Sequence, residues 1–283
     1  MSSKGGDVKE NWLFEFEKQN LNCLNFDGTN DRIDFGDILE TYLNFTIEFW
    51  INPDNIASGC IIDLKDANDT STSDHNASFR VTLQTGGEIR LFYESGNSDN
   101  QQVDSTSMDL VADTWTHVAV VRNDSDGNAY FYKNGSLVQS ASISTDPTGG
   151  TSTDHKLTIG DSYERDKPFN GDICQVRVWN DVRTASEIAE NYAQRVDGNS
   201  DNLVAYWQLN EGTGSTVYDS SSGGNSGTIS GASWATNGTQ VLPGDITLRF
   251  GFQDYTDSLG NFYHGVIMNR PSIRESINLE SSK

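Results

Sequence analysis

Acid–base or nucleophilic chemistry on a β-strand needs two carboxyl groups on one face, which means acids two or four residues apart. Glu15 and Glu17 have that spacing, but they alternate with aromatics in NWLFEFEKQ and read as a solvated strand edge. Glu48, in TIEFW, has no acid two or four residues on, and Asp63 has Asp66 three away, on the opposite face. The histidines His75, His117, His155 and His264 show no metal-ligand spacing. His117 lies in a run apolar on both faces and is expected to be a core histidine. Cys23, Cys60 and Cys174 sit in apolar runs, odd in number and without zinc spacing, so buried free thiols are expected. No serine nucleophile elbow or phosphate-cradling glycine loop appears. The chain is expected to be non-catalytic.

The elements that would carry any site are strands. DTWTHVAVVRNDSDGNAYFYKNGSLV (113–138) holds two apolar runs split by Asp126-Gly127, and Asn134-Gly135 turns the chain into a third strand. Further strands are read in LNCLNF, DRIDFG, FTIEFWINP, GCIIDLKD, the ASFRVTLQT/EIRLFYES pair, KLTIGDSY, FNGDICQVRVWN and LVAYWQL. SGNSDNQQVDSTSMD reads as a polar loop. One helix is expected near 184–195, where Thr184 and Glu187 match a capping box. The expectation is an all-β, two-sheet antiparallel sandwich over 21–238, with an arm at 1–20 and a tail at 239–283. The tail reads as a hairpin, ITLRFGFQDY with NFYHGVIMN, and a short helix after Pro271.

The net charge is −22, with 19 Lys and Arg against 41 Asp and Glu. Such a surface cannot track phosphates, so nucleic-acid binding is not expected. Oxygen-rich acidic loops suit a hard cation such as calcium, or simply solubility. No apolar run reaches membrane-spanning length and the first residues lack a signal core, so neither insertion nor conventional secretion is expected.

Five blocks, FDGTNDRIDFG, FTIEFWINP, DTWTHVAVVRNDSDGNAYFYKNGSLV, LTIGD and FNGDICQVRVWNDVRTASEI, stand in family order. Together they resemble the laminin-G-like jelly roll of the concanavalin A-like lectin and glucanase superfamily. The resemblance implies two packed antiparallel sheets with ligands on one face or in rim loops, where calcium is common. Candidate calcium ligands are Asp27, Asn30 and Asp31 in one loop, Asp219 and Asn225 in another, and Asp74 and Asn76 beside His75. Ordinary Asx turns explain the same residues. The two-acid strand signature of the family's glucanases is absent. Where the family carries an acid after the glycine of FNG, this chain has Cys174 or Gln175. Tyr93, Tyr163 and Trp207 are candidate sugar platforms that sequence cannot separate from core aromatics.

VKENWLFEFE and FYHGVIMNRPSIRESINLESSK resemble segments of marine bacteriophage structural proteins. The combined expectation is a non-catalytic virion component of tail or fibre type, self-associating or bound to other virion proteins, with a lectin-like jelly roll for host-surface glycans. The alternative is a calcium-dependent carbohydrate-binding adhesin module outside a virion, reaching the exterior by a non-classical route.

Overall fold

The computed structural model describes residues 13–17, 22–38, 43–66, 77–95, 99–106, 108–143, 155–236, 247–251, 255–256 and 262–263. In chain order the strands begin with β1 (Leu13–Glu17), β2 (Asn22–Asp27), β3 (Arg32–Gly36), β4 (Phe45–Pro53) and β5 (Gly59–Asp66). They continue with β6 (Ala77–Leu83), β7 (Ile89–Ser95), β8 (Asp99–Asp104), β9 (Thr116–Asn123), β10 (Asn128–Lys133) and β11 (Ser136–Ser142). Then come β12 (His155–Ile159), β13 (Asn170–Trp179), helix α1 (Ala185–Asn191), β14 (Leu203–Trp207), β15 (Thr216–Val217), β16 (Gly227–Ser230) and β17 (Ser233–Thr236). The last are β18 (Thr247–Gly251), β19 (Tyr255–Thr256) and β20 (Phe262–Tyr263).

Residues 21–240 form one compact unit, an antiparallel sandwich of jelly-roll type. One sheet runs β11-β10-β9-β4-β13-β2-β17, with β14 also on β13; the other runs β15-β16-β3-β12-β5-β6-β7-β8. The alternation of each strand sets the core between them. Phe45 of β4 meets Phe79 of β6 at 5.1 Å and Tyr93 of β7 at 6.1 Å between ring centroids, and Phe35 tilts onto Trp207 at 4.3 Å. Strand β9 is buried on both faces because α1 covers the side turned away from the sandwich. There Ala119, Val121 and Tyr132 pack with Ile188.

The helix starts where the sequence places it: Thr184 accepts the Glu187 N–H and the Glu187 carboxylate accepts the Thr184 N–H. It ends sooner than expected, at Asn191. Arg177 donates to the carbonyls of Asn191 (3.0 Å) and Gln194, and Trp50 Nε1 donates to that of Tyr192 (3.0 Å). These sheet-borne donors satisfy the last carbonyls, so no further helical turn is needed to pair them.

Three sequence readings change. The polar loop after Ser95 contains β8, an edge strand paired to β7 from Arg90↔Asp104 to Ser95↔Asp99. Its partner supplies the pairing, so it needs no apolar alternation of its own. Strand β12 stops at Ile159, not at Tyr163. Gly160 takes φ +90, and a Cβ there would sit 2.1 Å from the Phe26 ring, so the chain turns out of the sheet. In β13, Gln175 takes φ +54 at a register shift between Cys174 and Arg177, a bulge inside a long central strand.

Residues 1–20 and 241–283 form a second compact unit, in which β1 pairs antiparallel with β18 from Leu13↔Gly251 to Glu17↔Thr247. The partner of the ITLRFG segment is thus the arm. The hairpin is the short β19–β20 pair, Tyr255↔Tyr263 and Thr256↔Phe262. Asp74, His75, Asn76, His264 and the segment after Pro271 lie outside the described residues. Among those described, no helix is long and apolar enough to cross a membrane.

Candidate functional site

Every second residue of the β3–β12–β5–β6–β7 array points away from the sandwich. Register aligns Asp34, Thr158, Asp63, Arg80 and Phe92 in one row across that outer face. The middle of the row is buried. Asp63 and Arg80 form an ion pair at 3.3 Å, both nearly without solvent contact. Burial pushes the Asp63 carboxyl up, against the pull of Arg80 and of the Tyr163 N–H.

The loop from Gly160 to Lys167 folds over Asp63. The Tyr163 N–H donates to Asp63 Oδ2 at 3.0 Å, and the Tyr163 carbonyl accepts from Arg32 Nη1 at 3.0 Å. One residue is therefore clamped at both backbone polar groups by side chains of opposite charge from β5 and β3. Asp161 Oδ1 accepts the N–H groups of Ser162 (2.8 Å) and Lys167 (2.9 Å), closing the loop on itself. Arg165 takes φ +62, uncommon for a residue with a side chain, and its N–H bonds the Ser162 carbonyl. The turn holds Tyr163 partly exposed beside Glu164 and Arg165, with Lys65 Nζ 5.5 Å from the Tyr163 ring centre.

Next to this loop lies the rim of β3. Arg32 Nη2 meets Asp34 Oδ1 at 2.7 Å, and Arg165 Nη2 stands 4.0 Å from Asp34 Oδ2. Arg165 also reaches the Asn30 carbonyl at 3.5 Å, so the 27–31 loop borders the same surface. Of the three aromatics that sequence could not separate, Tyr93 and Trp207 are core, and Tyr163 alone is open to solvent.

The calcium candidates divide. Asp219 Oδ1 accepts the N–H groups of Tyr206 and Ser221, and Oδ2 accepts that of Asn225. The Asn225 amide donates to the Val204 carbonyl, and its own carbonyl accepts from Trp207 Nε1. That pair latches a loop and does not fit a metal. Asp27 accepts from the Thr29 N–H and Asp31 from the Asp27 N–H, an Asx turn in which burial raises the Asp31 carboxyl against the pull of the Asp27 N–H, the Asp27 carboxylate adding to the rise. Asp31 Oδ1 lies against Gly231, where a Cβ would approach to 2.1 Å. Among the described residues, no three His, Cys, Asp or Glu side chains converge to hold an ion.

Glu48 and His117, on the face under α1, come together in a way sequence did not show. Glu48 Oε1 accepts from Trp179 Nε1 at 2.8 Å, and Oε2 lies 3.3 Å from His117 Nε2 and 3.8 Å from Arg177 Nη1. All are buried, which makes this a structural network. The three cysteines are buried thiols outside any disulfide.

Residues 27–189 match a laminin G family model described as concanavalin A-like lectin/glucanases superfamily. The chain belongs to this superfamily. The matched residues include the clamped loop, β3 and most of α1. A curated relative, the zebrafish (Danio rerio) adhesion G-protein coupled receptor V1, is 24% identical over 167 residues, 58% of this chain and 3% of the receptor. A Bacteroides ovatus protein provisionally described as carbohydrate binding superposes with TM-score 0.56 at 21% identity, covering 76% of this chain and 60% of that one. The Limulus polyphemus SAP-like pentraxin gives TM-score 0.47 at 19% identity, over 60% and 81%. The chain thus spans only part of the first two.

Proposed function

We propose that this jelly roll is a non-catalytic carbohydrate-binding module and that Tyr163, with the Asp34–Arg32–Arg165 rim, receives the sugar. One observation carries the reading: Tyr163 is a partly exposed aromatic whose backbone is fixed at both N–H and C=O. An aromatic face stacks on the C–H face of a sugar ring, and neighbouring charged groups take its hydroxyls. A platform already held in place loses little entropy on binding. The description of the Bacteroides ovatus relative agrees with this reading.

Non-catalysis is supported by the state of the acids. Asp34 and Asp63 share the outer-face row, yet Asp63 is sealed against Arg80 and Asp34 is paired with Arg32. Hydrolysis would require one acid able to donate a proton and a second open to the substrate. Calcium is not part of the proposal, because both carboxylate oxygens of Asp219 already accept backbone N–H groups of the loop. Screening the whole chain on a glycan array, with and without EDTA, tests the reading. Binding retained in EDTA is expected, and absence of binding by folded protein would sink it.

We further propose a finer role, as a tail or fibre component of a virion, on the resemblance of the terminal segments to phage structural proteins. Mass spectrometry of purified particles tests it. Absence of the chain from any particle leaves the adhesin alternative.

A further inference from the structure

The charged groups around Tyr163 already answer one another. Asp34 holds Arg32 at 2.7 Å and faces Arg165, while Lys65 pairs with Glu164. With Asp161 counted beside Arg32, three carboxylates answer three cations at the rim, and the chain as a whole carries −22. An acidic polysaccharide would be repelled on approach by the net negative charge and would meet the Asp34 carboxylate beside Arg165.

One distance specifies more. The Arg165 Nη2–Asp34 Oδ2 separation, 4.0 Å, is too long for a hydrogen bond. It is wide enough for a single oxygen to sit about 2.8 Å from both atoms. An atom in that position must accept from the guanidinium and donate to the carboxylate at once. A hydroxyl does both; a carboxylate or sulfate oxygen only accepts, and would face Asp34 with like charge. Both side chains are more than a third exposed, so the gap is open to a ligand.

We infer that the ligand is an uncharged, hydroxyl-rich glycan, one hydroxyl of which bridges Asp34 and Arg165 while its ring lies on Tyr163. This rests on the carbohydrate-binding proposal above and names the class of sugar. It excludes sulfated and uronate-bearing chains as ligands. It also makes binding nearly independent of salt, because no counterion is released and no net charge is brought together.

Isothermal titration of the full chain with neutral gluco-, galacto- and manno-oligosaccharides, beside uronate-bearing and sulfated ones, tests the inference. Each is measured in about 50 mM and about 500 mM NaCl, where the screening length falls roughly threefold. A neutral sugar should bind with less than about a twofold change in Kd between the two salts. Asp34→Ala and Arg165→Ala should each weaken it about tenfold, the scale of one lost hydrogen bond to a charged group. Binding only of acidic sugars, weakening with salt, overturns the inference and leaves the carbohydrate reading standing. Neutral binding indifferent to both substitutions overturns the bridge. No binding of any sugar, by protein whose circular dichroism shows the folded sheets, overturns both.

Discussion

Asp63 accepts the Tyr163 N–H at 3.0 Å while its other carboxylate oxygen faces Arg80 at 3.3 Å. A buried ion pair on the sheet thereby sets where an exposed aromatic stands. Removing one partner of such a pair leaves a charge without compensation in a dry site. Arg80→Met should lower stability by about 3–5 kcal/mol, read from denaturant unfolding. Asp63→Asn keeps an acceptor for Tyr163 but removes the charge that Arg80 faces at 3.3 Å, and should also lower stability. A loss under about 1 kcal/mol for both would show that the pair does not hold the loop.

The pH dependence of stability should carry a signature from His117. Burial, the largest cause, lowers its pKa against the pull of Glu48, with Arg177 adding to the lowering. The unfolded chain therefore binds the proton more readily than the native one. Stability from this site is complete above the ordinary histidine pKa and is lost as pH falls through it. Burial pushes Glu48 up, but His117, Arg177 and Trp179 outweigh it and hold it down, so its contribution is lost only at lower pH. Asp31, Asp63 and Asp161, raised by burial, titrate in the opposite sense, so the comparison must be with a variant. Between pH 7.5 and pH 5.5, around the ordinary histidine pKa of about 6.5, the Tm advantage of wild type over His117→Gln should shrink. Parallel Tm curves would contradict this placement of the histidine.

Adding or chelating calcium should leave Tm unchanged, because three backbone N–H groups already occupy the Asp219 carboxylate. Asp219→Ala should destabilise by about 1–3 kcal/mol for the amides left unpaired, with or without calcium. A rise in Tm with calcium that Asp27→Asn abolishes would restore the metal to the 27–31 loop.

Much of the fold was legible in the sequence because alternation and turn residues are local signals. The β9–β10–β11 meander, the Thr184 cap and the burial of His117 all follow from residues a few positions apart. The site was legible only in part. Tyr163 stood among three aromatics, and alternation put it at the end of a strand; its exposure depends on Gly160 turning against Phe26, which comes from β2. Arg80 opposite Asp63, Arg32 under Tyr163 and β18 beside β1 are pairings between distant segments. Register, which no single stretch encodes, makes them.

Tyr163→Ala tests the carbohydrate-binding claim most directly. The substitution removes an exposed ring and leaves the clamped backbone groups in place, so Tm should stay within about 2 °C of wild type. Titration with the best sugar from the glycan array should show affinity reduced about tenfold or more. Unchanged affinity in a variant of unchanged stability would contradict the claim and move the site elsewhere on the molecule.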